Sequence, residues 1–315
     1  MLWLAGLMGL MAVGAVAYVD APEDAPEEDI EQPEQPINAG DIFVGSAGDE
    51  ILTGATGDDQ LGGYAGDDQI DGGAGDDTAY GASGDDTIDG GIGSDNLNGE
   101  DGDDALNGGA GDDMLFGNND SDTMRGDDGD DALQGSAGDD FLYGDAGDDA
   151  LQGGLDDDNL TGGDGEDTLF GGWGDDTLNG IEDDDSGPGI SDSDTGDFLN
   201  GGGGNDLIIA GQDDIVSGGE GADQIVLGDW INADNSAEIS DFSATEDTLL
   251  FVWDDSDEDS EEPDVTLVAD PDNAGQMQVR MGNEVVAQVA GSSALSEADI
   301  ALIPLSVAAS NGLLT

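Results

Sequence analysis

The chain has 315 residues, of which 78 are acidic and 2 basic, giving a formal net charge of −76 at pH 7. A surface this acidic excludes nucleic-acid binding through phosphates, which needs basic patches, disfavours anionic membrane surfaces and favours divalent cations. Cys, His and Lys are all absent, which removes disulfides, the usual zinc ligands, Ser-His-Asp and Cys-His pairs and Schiff-base lysines.

Carboxylates are everywhere, so no pair stands out for glycosidase-type chemistry. No G-x-S-x-G elbow occurs. The expectation is a protein that is not an enzyme.

In chain order, residues 1–19 are apolar throughout and are read as a signal or an anchor. Nineteen helical residues just span a bilayer, and Ala15-Val16-Ala17 has the small residues of a cleavage site. No Lys or Arg lies nearby, so the charge rule does not orient the segment. Cleaved signal and membrane anchor both fit. Residues 20–36 form an acidic, Pro-rich linker, stiffened by its prolines and extended by like charge.

From Gly45 to Asn179 the chain repeats every nine residues without a slip, over 135 residues or 15 units. Every unit opens with Gly. The fourth place is Gly except at Asp120 and Asp156, the sixth is Asp except at Glu50, and the eighth is apolar. A period this short and strict predicts a solenoid. Places seven to nine read as a minimal strand with the eighth side chain inward, and the first six places are assigned to chain reversal. Gly40-Asp-Ile-Phe-Val44 keeps the frame and reads as a capping half-turn.

Units such as Gly108-Gly-Ala-Gly-Asp-Asp113-Met-Leu115-Phe resemble the RTX, or haemolysin-type, calcium-binding repeat. That resemblance implies an all-β fold: a right-handed parallel β-roll with two units per coil and calcium between stacked turns. It also implies the ligands, namely the sixth-place carboxylates of Asp59, Asp68, Asp77, Asp86, Asp95, Asp104, Asp113, Asp122, Asp131, Asp140, Asp149, Asp158, Asp167 and Asp176. Asp206, Asp214 and Asp223 join them from later units, and turn carbonyls complete the set. Calcium, a hard cation, takes six to eight such oxygens. One ion between each stacked pair of turns gives at most about 13 in the main block. Fifth-place acids such as Asp58 and Asp112 read as solvated charge. One apolar side chain per nine residues is too little burial to offset backbone ordering, so folding is expected to need calcium.

Residues 180–196, with Gly187-Pro188-Gly189, read as an acidic loop inserted in the array. Repeats then resume in a new frame, and one unit, containing Asp214 and Val216, is a residue short. The β-roll is assigned to residues 37–226 and a small β-rich C-terminal domain to 227–315. In the latter, strand-like runs fall at 238–242, 248–253 and 265–268, and an acidic loop at 254–264. Met277 to Met281 and Glu284 to Val289 flank Gly282-Asn283 as a hairpin, with Arg280 outward against a carboxylate. Ser296 and Asp299 predict a capped short helix ended by Pro304. The tail from Pro304 to Thr315 resembles a type I secretion signal.

The expected function is calcium binding with calcium-driven folding after export. The expected role is structural, in a secreted or cell-surface protein, with an anchored form through residues 1–19. The alternative is an adhesin or interaction module that meets a protein or glycan through the C-terminal domain or through the outward seventh and ninth places.

Overall fold

The computed structural model describes residues 40–181, 192, 196–228, 230–231, 235–255, 262–271, 273, 275–282, 284–290, 295–296, 299–310 and 313. The apolar segment, the Pro-rich linker and most of the two acidic loops lie outside these residues.

Among the described residues the strands form two sheets, of 14 and 12 strands, and alternate between them as far as Trp253. Within each sheet a repeat strand pairs in parallel with the strand two units away. Leu97, Leu115, Leu133, Leu151 and Leu169 stand in one register row. Leu106, Met124, Leu142, Leu160 and Leu178 stand in the other. Two nonapeptides therefore make one coil, and the repeats form a parallel β-solenoid of about 10 turns. The eighth-place side chains meet between the sheets and are only 0–3% exposed from Leu61 to Leu178.

The strands are longer than the nonapeptide pattern suggests. Most run six residues, as in Gln69–Ala74 and Met114–Asn119, from the seventh place of one unit through the third place of the next. The reversal occupies three residues, not six. The first-place glycine is the reason: with no side chain it continues the ladder and lies buried beside the apolar row. An added Cβ at Gly126 would collide with Asp131 Oδ2 and come within 2.7 Å of the Gly144 carbonyl oxygen.

Left-handed backbone recurs at two places per unit. From Tyr64 onward the second place has positive φ whatever residue fills it, including Tyr64, Ala82, Glu100 and Ser136 at 82–92°. From Gly57 onward the fourth place does too, and its two exceptions to glycine, Asp120 and Asp156, sit at 71° and 74°. Aspartate is among the few L-residues that visit this region readily. The tightest restriction is again steric: Gly111 has φ +131°, and a Cβ there would strike the Gly93 carbonyl.

The insert at 180–196 falls within one turn. Leu169 pairs with Leu199 and Leu178 with Ile208 across it, after which the short unit pairs Leu199 with Val216. The new sequence frame is thus the same solenoid continued. Both sheets also run on into the C-terminal part. Thr248–Trp253 follows Gln224–Gly228 in parallel, and Ala237–Ile239 follows Ile215–Glu220.

The hairpin forms as expected, pairing Gln276–Met281 with Glu284–Ala290 and adding Val265–Ala269 outside, with a bulge at Val279/Arg280. Arg280 meets no carboxylate among the described residues. Its Nε and Nη2 donate to Gln278 Oε1 at 3.2 and 2.7 Å, since Gln278 lies two residues back on the same face.

The predicted helix near Ser296 is also corrected. Ser296 Oγ and N–H do donate to Asp299 Oδ2, both at 2.7 Å. The chain then enters the strand Ile300–Pro304, which pairs in parallel with Thr248–Trp253, and a helix follows only at Leu305–Ser310. Ile300 to Ile303 can extend a sheet whose last strand is apolar, and this overrides the local capping signal. Pro304 sits on the outermost strand, where its missing N–H costs no ladder bond.

Gly111→Ala should destabilise the calcium-loaded chain by upwards of about 1 kcal/mol, because both φ and space forbid the methyl. Ala82→Gly, at φ +88°, should be neutral or stabilising by up to about 1 kcal/mol. Urea unfolding measures both, and equal losses in the two variants would refute the backbone account.

Candidate metal centre

The turns stack along two edges of the roll, and the sixth-place aspartates form one buried row on each. Asp59, Asp77, Asp95, Asp113, Asp131, Asp149, Asp167 and Asp214 lie on one edge. Asp68, Asp86, Asp104, Asp122, Asp140, Asp158, Asp176, Asp206 and Asp223 lie on the other. All are 3% exposed or less, which is extreme for a carboxylate.

Each row is held by the backbone of the preceding coil. The Asp113 N–H donates to Asp131 Oδ1 at 2.7 Å, and the Asp131 N–H donates to Asp149 Oδ1 at 2.7 Å. The same bond recurs 18 residues apart along both edges. It crosses the insert unchanged, from Asp167 N–H to Asp197 Oδ1 at 2.8 Å and from Asp176 N–H to Asp206 Oδ1 at 2.9 Å. The second oxygen, Oδ2, points at the first-place glycine of its own unit. From Asp68 to Asp176 that oxygen is buried and accepts no hydrogen bond in any unit, and the same holds at Asp197, Asp206 and Asp223.

The fifth-place acids are exposed, as expected of solvated charge, and they also form a second ladder. The Asp76 N–H donates to Asp58 Oδ1 and the Asp148 N–H to Asp130 Oδ1, each at 3.1 Å. This row runs in the opposite sense to the buried one.

A model of the RTX calcium-binding nonapeptide repeat matches residues 44–79, 80–115, 116–151, 152–186 and 192–228, more than half of the chain. The chain belongs to the RTX calcium-binding nonapeptide repeat family. These repeats bind calcium and fold as a β-roll. Among curated proteins none matches the chain. Among solved structures, it is similar to the extracellular lipase LipA from Serratia marcescens at 17% identity. That alignment covers 87% of this chain and 42% of the lipase, with a TM-score of 0.19, and at that score it carries no argument.

The donor set of the RTX turns suits a calcium ion. Among the described residues no three carboxylates gather closely enough to hold a metal by side chains alone, so backbone oxygens must contribute. They are at hand: Asp131 Oδ2 and the Gly144 carbonyl oxygen both crowd the space around Gly126, and Asp176 Oδ2 and the Gly201 carbonyl oxygen do the same at Gly171. An unpartnered buried carboxylate oxygen beside a carbonyl is a hard-oxygen cradle.

Residues outside the expected set complete the rows. Asp197 takes the sixth place between Asp167 and Asp214, hidden in the sequence behind the insert. Its signal was Asp197-Phe-Leu199, the same Asp-x-apolar triplet. Asp247, in Asp247-Thr-Leu249, accepts from the Asp223 N–H at 3.2 Å and extends the row beyond the repeats. Asp192, within the insert, is buried, and its carboxylate accepts the Gln212 N–H. At the other end, the Asp41 and Glu50 amides donate to Asp59 and Asp68, while the Glu50 carboxylate turns back to Ser46 of its own turn.

Burial dominates the electrostatics of the rows. It pushes the Asp113 carboxyl up to about 7; the Asp95 amide pulls it down, and the carboxylates of Asp131 and Asp95 push it up again. Asp122 and Asp158 rise to about 8, Asp68 and Asp131 to about 6, all with burial as the largest cause. Asp214 is raised well above the usual range by burial and then by Asp197.

A carboxyl raised in the folded state stabilises the fold below its unfolded value near 4 and loses that contribution as pH rises through the folded value. With calcium chelated, the chain should therefore hold more β-structure at pH 5 than at pH 8, the stabilisation declining from about pH 4 and gone by about pH 8. Far-UV circular dichroism in chelator reads this directly. A signal flat across that range would contradict the burial of charged rows.

Proposed function

We propose that the chain is a calcium-dependent folding module that acts after export, with a structural role at the cell surface or in the extracellular matrix. The reading rests on one observation: the buried Oδ2 that lacks a partner in unit after unit on both edges. A buried charged oxygen left unmatched costs several kcal/mol, and the rows repeat that cost in every coil.

Asp59 through Asp176, with Asp206, Asp214 and Asp223, supply the carboxylates in this reading, and Asp197 joins them. When bound, calcium supplies the positive charge that makes these burials favourable. The chain's own residues do the rest. First-place glycines bring carbonyls to the carboxylates, sixth-place Oδ1 atoms fix the next coil through its backbone, and the eighth-place row closes the core. Binding free energy becomes folding free energy. Extracellular-type sites of about 10⁻⁴ to 10⁻³ M affinity would stay empty inside a cell and fill outside. Up to about 13 ions would serve the main block. Residues 37–226 form the calcium-binding part in this reading. Residues 227–315 close its end, and the segment at 1–19 or the C-terminal tail directs export.

Circular dichroism of the full chain with and without millimolar calcium tests the reading, with magnesium as control because its smaller, stricter octahedron should not fit these turns. At pH 8 the β-signal should appear with calcium and not with magnesium or chelator. A chelated chain as compact and protease-resistant as the loaded one would overturn the proposal.

Asp131→Asn keeps the Oδ1 acceptor for the Asp113 amide and removes the charge at Oδ2. It should weaken its site by about 1–3 kcal/mol and raise the calcium midpoint. Asp130→Asn, in the exposed row, should shift it far less. The same midpoint for Asp131→Asn and the native chain, in a circular-dichroism titration, would count against the ligand assignment.

A further inference from the structure

The acidic charge of this chain is not spread evenly over the roll. The four adjacent strands Met114–Asn119, Ala132–Ala137, Ala150–Leu155 and Thr168–Trp173 of the larger sheet contain no charged residue. At the same height on the other sheet, Thr123–Asp128, Phe141–Ala146 and Asn159–Asp164 each carry at least one aspartate. Farther along this sheet the exposed acids Glu100, Asp101 and Glu220 sit only at the turn-proximal ends of their strands. From Ile42–Val44 to Ile215–Glu220 no seventh- or ninth-place residue is charged, in a protein with 78 acids.

This neutral strip has relief. Ala132 and Ala150 are small and open a groove of about 290 Å³ on the outer surface. Phe116 walls it at one end and Phe170 at the other, three strand spacings or roughly 14 Å apart. Between them, Gln134 and Gln152 stand in register and line the groove. Trp173, 66% exposed, lies three residues farther along the same strand as Phe170.

We propose that this groove binds an uncharged, extended polysaccharide. Flat sugar faces would stack on the aromatic walls, and hydroxyls would hydrogen-bond the glutamine amides, which donate and accept. Charge selects the class. The turns on both edges are acidic and repel anionic chains, whereas a basic partner would be drawn to those edges and away from the strip. A stable protein partner would need on the order of 1,200 Å² of buried surface, more than this groove offers. The inference goes beyond calcium binding but needs the calcium-folded roll. Circular dichroism of the same samples therefore separates failure to fold from failure to bind.

The test is isothermal titration of the calcium-loaded full chain with three neutral hexasaccharides (β-1,4-glucose, β-1,4-mannose and α-1,4-glucose) and with oligogalacturonate. At least one neutral sugar should bind and the acidic one should not. The double variant F116A/F170A should weaken binding at least tenfold while leaving the calcium-folding titration unchanged, because both rings lie outside the core. Absence of binding by all three neutral sugars would overturn the proposal, as would binding that the double variant leaves intact. A self-association in sedimentation that the double variant abolishes would assign the strip to a second copy of the chain and overturn it too.

Discussion

One contact organises this molecule: a buried carboxylate whose Oδ1 grips the backbone of the neighbouring coil and whose Oδ2 has no protein partner. Everything else in the nonapeptide serves to build and repeat it. The first-place glycine leaves the space into which Oδ2 points. The left-handed second and fourth places turn the backbone sharply enough to stack one bend on the next. The eighth-place side chain supplies a thin core that aligns the stack but is too sparse to sustain it. The rows accumulate an electrostatic cost, and a divalent cation is the ligand whose chemistry removes that cost at every step. Membership of a calcium-binding repeat family and the arrangement of oxygens along the edges thus agree.

Much of this was legible in the sequence because the repeat itself is the structure. The unbroken frame gave the solenoid, the two-unit coil, the inward row from Leu52 to Leu178 and the buried carboxylates. Strand length was not legible, because glycine at the first place reads as a turn residue. In the roll it is a strand residue, chosen for its missing side chain and not for its flexibility. Asp197 is hidden in the sequence because the insert separates it from the glycine that opens its unit, and only the register of Leu199 against Leu169 reveals it. The fifth-place acids looked like solvated charge, and their exposure agrees. Their ladder is invisible in sequence because it joins residues 18 apart through a backbone amide. Near the C-terminus no repeat constrains the chain, so local signals misled: a capping pair at Ser296 and Asp299 precedes a strand, because an apolar sheet edge was there to be extended.

The distribution of charge carries its own lesson. Acids at the bends and neutral outward residues on the larger sheet let one short repeat meet two demands. The edges concentrate negative potential where hard oxygens are needed, and one face stays free of it. Arg125 shows the exception handled locally. It projects from the smaller sheet, donates to Asp145 Oδ1 at 2.7 Å and lies over the Tyr143 ring at 5.0 Å.

The buried row also gives the array a polarity. Each inner amide looks forward to an acceptor one coil later, and for the final regular amide, that of Asp223, the acceptor is Asp247, outside any repeat. The two ends are therefore not interchangeable. Shortening the roll from its front frees a carboxylate, which water solvates readily. Shortening it from the back strands a backbone donor whose mate lay in the segment removed. Lengthening such a roll by inserting coils is correspondingly simple anywhere ahead of that closing aspartate and demanding behind it.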